Sequence, residues 1–144
     1  MRKLLFIWLL YLPMALCAQD WNDDFKDAMA IAKQENKPII VVFSGSDWCA
    51  PCIKLDRDIW QTNEFKDYAK HSVVLYKADF PRKKENKLKD PLVQQNKELA
   101  DRYNPKGYFP LVLVLDKNGK ILGETGYQKT TPKAYISLLN SFGK

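Results

Sequence analysis

The chain has 144 residues, with 23 lysines and arginines against 17 aspartates and glutamates, a formal net charge of +6, and 46% hydrophobic residues. That length supports one domain with a real core, and no repeat or second domain is visible. No glycine-rich phosphate loop precedes a helix, so no bound organic cofactor is expected.

Arg2 and Lys3 give a positive start, Leu4 to Leu12 is apolar apart from the hydroxyl of Tyr11, and Pro13 breaks the run before Ala15-Leu16-Cys17-Ala18. This order predicts a secretory signal peptide over residues 1–18, cleaved after Ala18 to leave Gln19 first. The apolar stretch is too short to span a bilayer comfortably. Cleavage after Cys17, a lipid-modified Cys17 and an uncleaved N-terminal anchor are the alternatives. Cleavage after Ala18 removes two basic residues, no acidic ones and Cys17, leaving 126 residues with a net charge of +4. The expected location is periplasmic or extracellular, an oxidising compartment.

Trp21 to Asn36 predicts an amphipathic helix, because Phe25, Ala28, Met29 and Ala32 recur at three- and four-residue steps. Asn36-Lys37-Pro38 ends it. Ile39 to Phe43 is a continuous apolar run, the pattern of a strand buried on both faces. Ser44 to Asp47 is a loop, and a helix then runs from about Cys49 toward Trp60. Pro51 is tolerated there because a first-turn N–H has no partner to lose. Asn63 to Lys70 predicts a short helix with Phe65 and Tyr68 inward, and Val73 to Asp79 a second core strand.

Phe80 to Pro91 breaks the pattern. It sets Arg82, Lys83, Lys84, Lys87 and Lys89 against Glu85 and Asp90, with two prolines and no apolar periodicity. It reads as an exposed, solvated basic loop. Such a loop suits an acidic partner, nucleic acid or a membrane surface. Nucleic acid is set aside because of export and the lack of interleaved aromatics. Leu92 to Tyr103 returns to helical spacing, and Asn104-Pro105-Lys106-Gly107 stops it. Leu111 to Leu115 is the third apolar strand. Asp116-Lys117-Asn118-Gly119 is a hairpin turn, leading to an antiparallel fourth strand over Lys120 to Glu124. Thr131-Pro132 opens a last helix as cap and first position, with Tyr135, Ile136, Leu138, Leu139 and Phe142 on its apolar face.

The chemistry lies in Trp48-Cys49-Ala50-Pro51-Cys52. A strand delivers two cysteines, three apart, to the start of a helix, where exposed N–H donors and a partial positive charge stabilise a thiolate. The spacing lets the second sulfur reach the first and close a small disulfide. As a structural staple so short a loop would stabilise weakly. Zinc needs four ligands, and the mature chain offers two cysteines and His71, so no metal site is expected. His71 itself reads as a solvated residue near a helix end.

This order of elements resembles the thioredoxin family over roughly Trp21 to Phe142. The marks are Trp-Cys-x-x-Cys after a buried strand, Gly107 and Phe109-Pro110 ahead of the third core strand, the Asn-Gly hairpin and the C-terminal helix. The resemblance implies an α/β thioredoxin fold: a central mixed sheet of four to five strands flanked by helices on both faces. Residues 19–144 would form this domain, with a basic insertion near 80–95.

The resemblance also implies a mechanism. Cys49, the better exposed thiol, would attack a substrate disulfide, and Cys52, more buried, would resolve the mixed disulfide. Pro110 would be the cis-proline facing the dithiol, Phe109 would offer its backbone to a bound peptide, and Trp48 would line the docking surface. Ala50 and Pro51 would tune the potential, their likeness to the Gly-Pro of reducing members leaning toward a reductant. Protein thiols and disulfides would be the substrates, and a membrane or soluble thiol reductant the electron source. The redox-active Cys49–Cys52 disulfide would serve in place of a cofactor. A disulfide oxidase or isomerase using the same site, and a redox-inert binding or chaperone module, are the alternatives.

Thioredoxins bury an aspartate six residues before the first cysteine and a paired lysine on the next strand. Here alignment places Phe43 and Leu75 at those positions. Asp47, Glu124 or water remain as proton acceptors for Cys52.

Overall fold

The computed structural model describes residues 21–144. The leader expected over residues 1–18 lies outside the described residues.

A five-stranded sheet runs β1-β3-β2-β4-β5, with β1 at Trp21–Asn22, β2 at Ile39–Ser44, β3 at Val74–Asp79, β4 at Leu111–Leu115 and β5 at Ile121–Thr125. β1 and β2 pair with β3 in parallel, and β4 is antiparallel to both β2 and β5. The sheet is therefore mixed, as expected. All six residues of β2 are buried. Its side chains alternate, so Ile39, Val41 and Phe43 enter one core layer and Ile40 and Val42 the other.

Five helices cover the two faces: α1 (Phe25–Glu35), α2 (Ala50–Leu55), α3 (Asn63–Ser72), α4 (Asp90–Tyr103) and α5 (Pro132–Ser141). Ala28 and Ala32 of α1 pack with Leu99 and Tyr103 of α4 against Val41, Phe43 and Leu113. Leu55 of α2, Phe65 and Ala69 of α3, and Tyr135 and Leu139 of α5 fill the opposite layer. Trp60 is the largest side chain there, and its ring meets Trp21, Phe65 and Tyr135 at centroid distances of 6.0, 4.5 and 5.6 Å.

The first helix starts later than its periodicity predicts. Trp21 and Asn22 extend along β3, where the Asn22 side-chain amide donates to the Leu75 carbonyl at 3.0 Å. Asp24 then caps α1, its Oδ1 accepting the N–H groups of Lys26 and Asp27. This extra pairing supplies the fifth strand. The helix expected from Cys49 to Trp60 is α-helical to Leu55 and continues as one π-helical turn, Asp56–Trp60. α4 begins at Asp90, two residues earlier than expected, because Pro91 sits in its first turn where no N–H is needed. The basic connection is thereby confined to residues 80–89, with a 3₁₀ turn at Lys84–Asn86.

Buried Asn96 anchors α4 to β3. Its Oδ1 accepts the Tyr76 hydroxyl at 2.5 Å and its amide donates to the Asp79 carbonyl at 3.1 Å. This bond holds the end of β3, from which the basic connection departs.

Replacing Trp60 by alanine removes the centre of one layer. Urea unfolding is expected to show a loss of about 3–5 kcal/mol, at the upper end of core truncations.

Candidate active site

β2 ends at Ser44, and the chain turns sharply before α2. The N–H groups of Trp48 and Cys49 both donate to the Gly45 carbonyl, at 3.2 and 2.9 Å. Gly45 is buried, and a Cβ on it would overlap the Trp48 indole. The glycine is therefore needed for close approach and not for a positive φ.

Cys49 is the N-cap of α2, with φ −91° and ψ 100°, and its Sγ accepts the Cys52 N–H at 3.3 Å. Cys49 and Cys52 form a disulfide with their Cα atoms 5.2 Å apart. The expected contrast in exposure is absent, since Cys49 is 5% exposed and Cys52 3%. The reason is local: the Gly45 turn draws Cys49 inward, and its sulfur points at the first turn of the helix. The two sulfurs differ instead in hydrogen bonding. An N–H aimed at Cys49 Sγ favours its thiolate once the disulfide opens. Ala50 and Pro51 both face solvent.

Trp48 is held from several sides. Its Nε1–H donates to the Phe80 carbonyl at 2.7 Å. The Arg82 guanidinium lies over its ring, 3.8 Å from the centroid. Phe109 packs beside it at 5.5 Å, and Phe80 packs edge-on against Phe109 at 5.4 Å. Phe109-Pro110 is a cis peptide leading into β4. Leu111 of β4 pairs with Phe43 of β2, so this bond lies at the sheet end from which Cys49 departs. Trp48 and Phe109 thus meet in one aromatic wall.

Two carboxylates take structural roles that no local motif announces. Asp47 accepts the backbone N–H groups of Arg82 and Lys83, each at 2.9 Å, and the Asn86 side-chain amide at 3.0 Å. Asp79 accepts the backbone N–H and the hydroxyl of Ser46 at 3.0 and 2.6 Å. The basic connection is not a loose insertion; Asp47 laces it to the lead-in of the dithiol, and Asp79 ties the end of β3 to the same lead-in. Its charge was visible in the sequence, but these partners are 33 to 39 residues apart, beyond any local pattern.

The position expected at Leu75 shifts along β3. The residue opposite Phe43 on β3 is Ala78, whereas Leu75 pairs with Ile40 and belongs to the other face. An odd shift in register exchanges faces. Neither Phe43 nor Ala78 ionises, so no carboxylate–lysine pair occupies those positions. Of the three acceptors left open for Cys52, Asp47 is the weak base. The Arg82 N–H and the Asn86 amide bond to its carboxylate and lower its pKa from 3.8 to about 2. Glu124 is exposed on edge strand β5, paired with Leu113 whose side chain enters the α1/α4 layer. His71 stands at the end of α3, its Nδ1 2.9 Å from the Asp67 carbonyl oxygen.

Residues 25–143 match the family described as thioredoxin-like domain. The chain belongs to the thioredoxin-like family. It is 36% identical over 129 residues to a Chlamydia pneumoniae protein named disulfide bond reductase DsbH, covering 90% of this chain and 75% of that one. A solved structure titled DsbH oxidoreductase superposes with a TM-score of 0.81 at 34% identity, covering 91% of this chain and 88% of the other. A solved disulphide isomerase from Xylella fastidiosa Temecula1 shares the fold alone, with a TM-score of 0.60 at 19% identity over 88% of this chain and all of that one. As a thioredoxin-like protein with a Cys-x-x-Cys disulfide, the chain is a thiol-disulfide oxidoreductase.

The depressed pKa of Asp47 sets a pH window. The lacing contributes stability in full above about pH 4 and loses it as pH falls through about 2. The stability difference between wild type and Asp47→Asn, read by thermal unfolding, is expected to be constant near neutrality and to shrink below pH 4. At pH 7 the amides of Arg82 and Lys83 should lose hydrogen-exchange protection in Asp47→Ala; unchanged protection would contradict the lacing. Gly45→Ala is expected to displace the indole, seen as a shifted Trp48 emission in a variant whose other tryptophans are replaced by phenylalanine.

Proposed function

We propose that this thioredoxin-like protein reduces disulfides in exported proteins. The Cys49 thiolate attacks a substrate disulfide, one substrate sulfur leaves as a thiolate, and a mixed disulfide forms. Cys52 then attacks Cys49 Sγ, freeing the second substrate thiol and regenerating the Cys49–Cys52 disulfide. Two electrons pass from the dithiol to the substrate, and an external membrane or soluble thiol donor restores them. No cofactor beyond the disulfide takes part.

The observation that carries this reading is the capping of Cys49 Sγ by the Cys52 N–H, beside the Trp48–Phe109 wall. That asymmetry supports attack by Cys49 and resolution by Cys52. The cis Phe109-Pro110 bond supports a docking role for both residues. The name of the DsbH relative supports reduction as the direction, and the basic, apolar order of residues 1–18 supports a periplasmic or extracellular location.

Cys49→Ser is expected to abolish reduction of insulin disulfides, and Cys52→Ser to accumulate a mixed disulfide visible on a non-reducing gel. Full insulin turnover by Cys49→Ser would sink the mechanism. The reduction potential, measured against thiol buffers, should lie below about −230 mV; a value above about −180 mV would make the protein an oxidase or isomerase.

A further inference from the structure

The basic connection presents charge at a fixed place. Arg82, Lys83, Lys84 and Lys87 are all exposed. The backbone beneath them is held by Asp47, and Arg82 is stacked on Trp48, the residue before Cys49. Phe80, at the start of the same connection, is part of the aromatic wall through Phe109. Phe80 also lines a cleft of about 410 Å³, with Lys87 and Lys97 among its other lining residues. Among the described residues, the ion pair made by a lysine of residues 82–87 is the 3.8 Å contact of Lys87 with Asp90. Lys83 also acts at longer range on Asp47.

A purely solvated insertion needs no such anchoring. Here three hydrogen bonds to one carboxylate fix a cationic shelf against the wall beside the dithiol. We propose that the shelf formed by Arg82, Lys83, Lys84 and Lys87 binds acidic side chains flanking the disulfide of a protein substrate, so that the protein selects disulfides in acidic sequence contexts. The inference rests on the reductase reading and adds a substrate class to it. A membrane is the poorer fit for the same charge, because a bilayer seated on the shelf would cover the adjoining dithiol.

The test uses the prereduced protein and two disulfide peptides identical except for aspartates or lysines flanking the cysteines. The readout is the ratio of their second-order rate constants, which cancels any general loss of activity in a variant. At about 0.01 M salt the acidic peptide should react about tenfold faster, and the ratio should approach one at about 1 M salt. Lys84→Gln/Lys87→Gln should lower the ratio, and Lys84→Glu/Lys87→Glu should lower it further, toward preference for the basic peptide. These substitutions leave the Asp47 hydrogen bonds in place, and retained protection of the Arg82 and Lys83 amides verifies the shelf. A wild-type ratio within about twofold of one, or a ratio unmoved by charge reversal, overturns the proposal. Binding to anionic phospholipid vesicles together with a ratio near one assigns the charge to a membrane and likewise overturns it. Reaction with neither peptide overturns the reductase reading, and this inference falls with it.

Discussion

Burial of β2 on both faces is the constraint on which the rest depends. A strand with apolar side chains up and down can sit only in the middle of a sheet, with helices over both sides. β3 and β4 take its two edges, and the two core layers form on its alternating side chains. The chain beyond Ser44 then has to leave at the sheet end and turn back over one layer. That exit places the dithiol at a rim where strand, helix and two loops converge.

The rim is held by polar interactions rather than by apolar packing alone. Asp47 and Asp79 each satisfy N–H donors from a distant part of the chain, and carboxylate bonds to N–H groups are among the stronger hydrogen bonds available. Trp48 sits within this lattice, fixed by its own N–H, by Arg82 and by Phe109. The paired positions Phe43 of β2 and Ala78 of β3 carry no charge and pack into the α1/α4 layer.

Much of this was legible in the sequence. The apolar runs at 39–43 and 111–115, the Asn-Gly hairpin, the Thr131 cap and the Cys-x-x-Cys motif are local signals, and each produced its element. Pairings between distant residues were not legible. Trp21 and Asn22 look helical in isolation, but β3 offers them an open edge and Asp24 caps the helix after them. The face of Leu75 depends on the register of β3 against β2, in which it pairs with Ile40. The exposure of Cys49 depends on a turn built by Gly45. The connection at 80–89 carried an obvious charge pattern, but its anchorage needs Asp47 some 35 residues away.

Asp47 grips main-chain N–H groups at Arg82 and Lys83 rather than their side chains. Every residue except proline carries that donor. The clamp at 83 therefore keeps its shape whatever side chain other than proline stands there, whereas Arg82 is also held by its place over Trp48. The surface charge of the connection and the geometry of its backbone are thus set by different atoms. Exchange of the exposed side chains at 83, 84 and 87 leaves the Asp47 clamp and the contact of Arg82 with Trp48 in place.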